Sequence, residues 1–158
     1  MKDDNLDELS RFFADYCQFN YDPEEASSTA YNRLVAISGW KADGKKERKA
    51  RTRFQKALVE QFEQLYGHDD NKLDVLQTLC GKLGISPVPS TITACKKAIK
   101  KVHVNIYDFI DSEQTGEPVR KFTNLRKFQA YTEENGKVFP KKKAKNNALL
   151  RFLLRPVF

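Results

Sequence analysis

Helical periodicity is strongest between Lys45 and Tyr66, where Phe54, Leu58, Phe62 and Leu65 recur at steps of four, four and three. That spacing places the four on one face of a helix of about five to six turns, and such a face requires a core to pack against. Upstream, Leu6, Leu9, Phe12, Phe13, Tyr16 and Cys17 predict a helix over 5–18, with early acids that suit the positive end of its dipole. Asp22, Pro23 and Glu25 form a capping-box-like opening for a helix from 23 to about 38, with Ala26, Ala30, Leu34 and Ile37 facing inward. Gly39 then stands where a left-handed C-cap belongs, and Trp40 is placed to fold back on Val35.

Beyond Gly67, Asp69 or Asp70 can cap a helix carrying Leu73, Leu76, Cys80 and Leu83, closed by Gly84 and Ile85. The prolines of SPVP break the chain. Ser90 is the expected cap of the next helix, with Ile92, Cys95, Ile99 and Val102 inside and Lys96, Lys97, Lys100 and Lys101 outside. Asn105 can cap a helix that turns Ile106, Phe109 and Ile110 inward; residues 112–121 read as a polar loop. Phe122, Leu125 and Phe128 begin another helix that stops at Asn135 and Gly136. A last one opens at Pro140, carries Ala148, Leu149, Phe152 and Leu153, and ends at Pro156.

Every apolar face has helical period. VPSTIT and KVHVNIY contain strand-forming residues, but each lies between stronger helical signals, so no strand is expected. The expected fold is therefore all-α, a compact single-domain bundle of seven or eight helices over residues 1–158, with 1–4 frayed. Its expected core includes Phe12, Leu34, Phe54, Leu58, Phe62, Leu76, Ile99, Phe109, Phe128 and Phe152.

Charge changes this picture. Residues 1–30 hold eight acids against Lys2 and Arg11, a balance of −6 that leaves +13 on the other 128 residues of a chain whose net charge is +7. The acidic segment either lies across part of the basic surface or complements a helix start. The basic residues form three runs. The first holds Lys45, Lys46, Arg48, Lys49, Arg51, Arg53 and Lys56 against the single acid Glu47. The second is Lys96, Lys97, Lys100 and Lys101; the third is Lys137, Lys141, Lys142, Lys143 and Lys145, with no acid between Lys137 and Arg155. If packing brings two runs together, they make a path for a phosphate backbone; the alternative is that each is the solvated face of its own helix.

Candidate chemistry is sparse. Cys17, Cys80 and Cys95 are widely spaced and lack CxxC pairing, which fits buried thiols in a reducing compartment. The amino terminus lacks the apolar run of a signal peptide, and no stretch of about eighteen apolar residues occurs, so the expectation is a cytosolic or nuclear protein with no membrane partner. No phosphate-loop, dinucleotide-binding, nucleophile-elbow or HExxH motif is found, and there are two histidines, so the chain reads as a non-enzyme with no cofactor. His103 with Asp108 and Asp111 is a minor alternative, since two acids three apart on a helix are ordinary surface residues.

The expected function is nucleic-acid binding, to DNA or RNA, through phosphate contacts from Lys45, Lys46, Arg48, Lys49, Arg53, Lys96, Lys97, Lys100, Lys101, Lys141, Lys142, Lys143 and Lys145. The alternative is a module that docks another protein or a second copy, because ALLRFLLRPVF rings its helix with more apolar residues than one buried face needs. YDPEEASSTAYNRL with SGW, then STITACKKAIKKVHVNIYDFID, GKVFPKKKAK and LLRFLLR, resemble an uncharacterised family of small helical proteins from filamentous fungi. The resemblance covers about residues 12–155 and implies one domain and a fungal source; it brings no activity or site residue with it.

Overall fold

The computed structural model describes residues 7–154, so the expected fraying of 1–4 lies outside the described residues. The long helix α3 (Lys45–Tyr66) is the axis, and it buries Ala50, Phe54, Ala57, Leu58, Gln61 and Phe62 along one face. Three helices lean on it: α1 (Glu8–Ala14), α6 (Ile106–Thr115) and the short α8 (Lys141–Ala144). α2 (Ser27–Ser38) packs on α6, α4 (Leu73–Lys82) pairs with α5 (Ile92–Lys100), and α9 (Ala148–Leu153) closes on α5. Aromatic rings fill the centre: Tyr31 stacks on Phe54 at 4.6 Å and Phe13 on Tyr21 at 4.3 Å.

The mostly helical fold agrees with the expectation, but nine helices occur among the described residues rather than seven or eight. The last predicted helix is two, because α8 stops at Ala144 with Lys145 as its C-cap, and Asn147 caps a new helix, its Oδ1 accepting from Leu150 N at 3.0 Å. There is also a strand pair. β1 (His103–Val104) and β2 (Lys121–Phe122) run antiparallel, with His103 opposite Phe122 and Val104 opposite Lys121. Phe122 therefore belongs to the hairpin, and α7 (Leu125–Glu134) starts after an Asn124 cap and lays Phe128 and Tyr131 against Phe122. The polar loop is shorter than expected, since α6 continues to Thr115 and stops at left-handed Gly116.

Several helix starts also differ. α2 begins at Ser27 instead of Pro23, because Asp22 closes a turn of its own: its carboxylate accepts from Glu24 N at 3.0 Å and its carbonyl from Glu25 N at 3.1 Å. Thr91, one residue after Ser90, caps α5 by accepting from Ala94 N at 3.1 Å. Asp69 accepts from Asn71 N within its own loop and caps nothing, and the N-cap of α4 is Lys72. The predicted ends of α2 and α4 hold: Gly39 and Gly84 have φ of 68° and 72°, and Trp40 N and Ile85 N donate to Val35 O and Cys80 O.

All the expected core residues are buried except Phe152, which is half-buried beneath lysines of α5. Leu65 and Ile37, expected inside, are 47% and 57% exposed. Tyr66 takes the contact expected of Leu65, its ring 5.1 Å from Phe62 and 5.9 Å from Phe109. Cys80 and Cys95 are buried as expected, and burial pushes the Cys80 thiol up to about 11; Cys17, past the end of α1, is exposed. The apolar residues of α9 do not ring an open helix, for Leu149, Leu150 and Leu153 are buried in the core and Leu154 packs partly against it.

Candidate nucleic-acid interface

The basic start of α3 owes its sign to the fate of its one acid. Glu47 lies in the first turn, yet only 6% of it is exposed. Its carboxylate accepts from the Tyr31 hydroxyl at 2.6 Å and from Asp43 N at 3.1 Å, and the Arg51 guanidinium lies 3.6 Å away. Burial, with the Glu47 carboxylate beside it, pushes the Tyr31 hydroxyl far above its ordinary value, so Tyr31 stays a donor to Glu47. With Glu47 turned inward, Lys45, Lys46, Arg48 and Lys49 are left exposed on the same two turns.

The third basic run meets the first through α8. Phe139 is buried against Tyr107 at 5.3 Å and Ala144 is fully buried, which seats the short helix between these anchors. Lys143 then reaches α3, its Nζ donating to Thr52 O at 2.7 Å, and partial burial pulls its ammonium below the ordinary lysine value. Lys141, Lys142 and Lys145 are exposed beside it. Between α3 and α8 opens a cleft of about 500 Å³, lined by Arg48, Arg51, Thr52, Gln55, Tyr107 and Lys143 among others, with no carboxylate in its lining. Arg51 is paired outside that lining, 2.9 Å from the Asp43 carboxylate and 3.6 Å from that of Glu47, so Arg48 and Lys143 are the cations that give the cleft its attraction for an anion.

The other predicted residues lie elsewhere. Lys96 of α5 donates to Asn71 Oδ1 at 2.8 Å and lies 3.8 Å from the Asp70 carboxylate, so an acid from another segment enters a run that has none of its own. Lys96 and Lys100 also sit over the Phe152 ring at 5.8 and 5.4 Å, while Lys97 and Lys101 are exposed. Arg53 is paired with Asp15, the C-cap of α1, and lies over the Phe12 and Tyr16 rings. The acids of the first segment within the described residues mostly serve the fold: Asp7 caps α1 by accepting from Ser10 N, and Glu8 pairs with Arg11.

A second cavity, of about 250 Å³, adjoins the cleft on the other side of Arg51. Its lining includes Tyr31, Asn32, Glu47, Phe54, Tyr107 and Lys137. Lys137 and Glu47 fall within basic runs and Phe54 belongs to the apolar repeat, but nothing in the sequence joins these residues as one set, because they come from α2, α3, α6 and the segment after α7 and share no spacing.

No protein family, curated protein or solved structure matches the chain. Histidine 103 and its acids do not form a cluster: Asp111 faces Ser27 and Ser28, Asp108 holds Tyr131 and Lys137, and His103 stacks on Phe128 at 6.1 Å. Among the described residues no group of three or more His, Cys, Asp or Glu is placed to hold a metal ion, and no helix is long and apolar enough to cross a membrane.

Proposed function

We propose that this chain is a non-enzymatic nucleic-acid-binding domain that grips the phosphate backbone along the cleft between α3 and α8. The observation that carries the reading is the bond from Lys143 to Thr52 O, which joins two basic runs whose bonded residues are 91 apart in sequence. The inward turn of Glu47 supports it too: Arg48 and Lys143 line a cleft with no carboxylate in its lining, and Lys45, Lys46, Lys49, Lys141, Lys142 and Lys145 are exposed on the same two helices or next to them. Phosphate contacts of this kind give affinity without base reading, and they release counterions, so binding weakens with salt.

The test is fluorescence anisotropy with labelled single-stranded and double-stranded DNA and RNA across a salt series. Replacing Lys45, Lys46 and Lys49 together by Gln is expected to weaken binding and to flatten the log–log salt slope by about 2–3, at roughly 0.7–0.9 per phosphate contact. No binding by the unaltered chain at low salt overturns the reading. The alternative of self-association through the last helix has lost its particular support, since Leu149, Leu150 and Leu153 are covered within the chain.

A further inference from the structure

The two cavities that share Arg51 differ in chemistry, and the difference suits the two halves of a nucleotide. The outer one is cationic, with Arg48 and Lys143 beside Arg51, which a phosphate would share with Asp43 at 2.9 Å. The inner one is walled by aromatic rings: Tyr31 lies parallel to Phe54 at 4.6 Å and 9°, and Phe54 faces Tyr107 at 6.3 Å and 24°. Both cavities are lined by Arg51, Tyr107 and Gly136, so they are neighbours on the two sides of these residues. A cavity of about 150 Å³ accepts a benzene ring. At about 250 Å³ the inner one has room for a single planar heterocycle of purine or pyrimidine size.

Its polar groups fit the edge of such a ring. Glu47 accepts from Tyr31 and from Asp43 N and has the Arg51 guanidinium 3.6 Å away; a carboxylate offers about four acceptor positions, which leaves one for an exocyclic amino group. Asn32 lines the same cavity and supplies both a donor and an acceptor, and Ser28 Oγ, whose hydrogen goes to Asp111, still offers an acceptor. Lys137 is held at its margin by Asp108, with Nζ to Oδ1 at 2.6 Å.

We propose that the paired cavities bind one nucleoside monophosphate unit, its base in the inner cavity and its phosphate beside Arg48, Arg51 and Lys143. The base of a closed duplex is not available to such a pocket, so the unit is either a free nucleotide or an unpaired residue of a strand. The second source rests on the nucleic-acid reading given above, and the first does not.

Calorimetric titration with AMP, GMP, CMP and UMP, against inorganic phosphate and the corresponding nucleosides, addresses the free form. Anisotropy with an overhang-bearing duplex against its blunt counterpart addresses the strand. Ala42 and Asn32 are exposed residues at the inner cavity, so Ala42→Trp and, separately, Asn32→Trp fill its mouth without altering charge or the buried core. The expected result is monophosphate binding that exceeds phosphate binding, falls at least tenfold in both variants, and leaves inorganic phosphate binding and melting temperature unchanged. The preference for the overhang is expected to disappear in both variants while blunt-duplex affinity stays. Monophosphate binding without any strand binding upholds the pocket with a free nucleotide as its ligand and sinks the nucleic-acid reading. Strand binding by the lysines with no effect of either tryptophan, or a monophosphate bound no better than phosphate, overturns the pocket and leaves that reading standing.

Discussion

Asp111 shows how much a single side chain can hide from sequence. Its spacing from Asp108 on α6 suggests an ordinary surface acid, yet it is buried and accepts from Ser27 N and Oγ and from Ser28 N and Oγ, at the start of α2. Ala26, the N-cap of α2, has no side chain that can accept these bonds, so a carboxylate 84 residues away from Ser27 does so instead. Burial raises the Asp111 carboxyl above its ordinary value, and the four serine bonds oppose that rise without cancelling it. The folded chain therefore holds this proton to higher pH than the unfolded chain does. The contribution of the group is complete below the ordinary carboxylate range and is lost as pH climbs through the raised value. Asp111→Asn removes that dependence; in paired melting curves from about pH 3 to pH 7, the unaltered chain is expected to lose ground against the variant as pH rises. Asp111→Ala leaves the serine donors without their acceptor and is expected to cost about 2–3 kcal/mol at neutral pH, read by chemical denaturation. Some local caps were legible from the residues themselves, for Asn105 accepts from Asp108 N as its position implies and Gly39 and Gly84 turn as left-handed ends, whereas Asp22, Ser90 and Asp69 or Asp70 were expected to cap helices and do not. A cap delivered from another helix leaves no mark at the site it serves.

At the scale of elements, the same contrast separates what the apolar pattern revealed from what it did not. Helix faces were legible because each must repeat every three or four residues to reach one core, and α3, α5 and α6 carry that repeat plainly. The two-residue strands β1 and β2 were not legible, because alternation needs about four residues before it differs from chance. The division of the last predicted helix turns on Asn147, which is fully buried and works on two elements at once. Its Oδ1 starts α9, and its Nδ2 donates to Gly67 O at 3.0 Å, closing the carboxyl end of α3. Asn147→Asp keeps the acceptor and loses the donor, so it is expected to preserve α9 while setting a carboxylate against a carbonyl. A loss of about 1–3 kcal/mol follows from the unmatched buried group. The check is denaturant unfolding of Asn147→Asp beside Asn147→Ala; equal stability of all three chains would show that the bond to Gly67 contributes nothing.

For the whole molecule, the sequence revealed the charges and concealed their meeting. The runs at 45–49 and 141–145 are plain to read, but their union depends on α8 docking through Phe139, Ala144 and Lys143, and no local rule foretells that. The run on α5 rests on α4 and α9 instead, with Lys96 already engaged by Asn71 and Asp70. A ranking follows: replacing Lys141, Lys142 and Lys145 by Gln is expected to weaken nucleic-acid binding more than replacing Lys96, Lys97, Lys100 and Lys101, although the second set removes one more charge. Anisotropy at one low salt concentration decides it, and the reverse order would move the contact surface to α5. The bond that closes α3 has a consequence in time as well. A ribosome adds about 5–20 residues per second, so Asn147 follows Gly67 into the growing polypeptide after roughly 4–16 s, 80 residues later. Throughout that interval Gly67 O lacks the Asn147 donor that it has in the folded chain. The nascent chain thus passes through a stage in which α1 and then α6 can pack on the central helix while its carboxyl end still lacks the bond from Asn147, a stage open to chaperones and proteases.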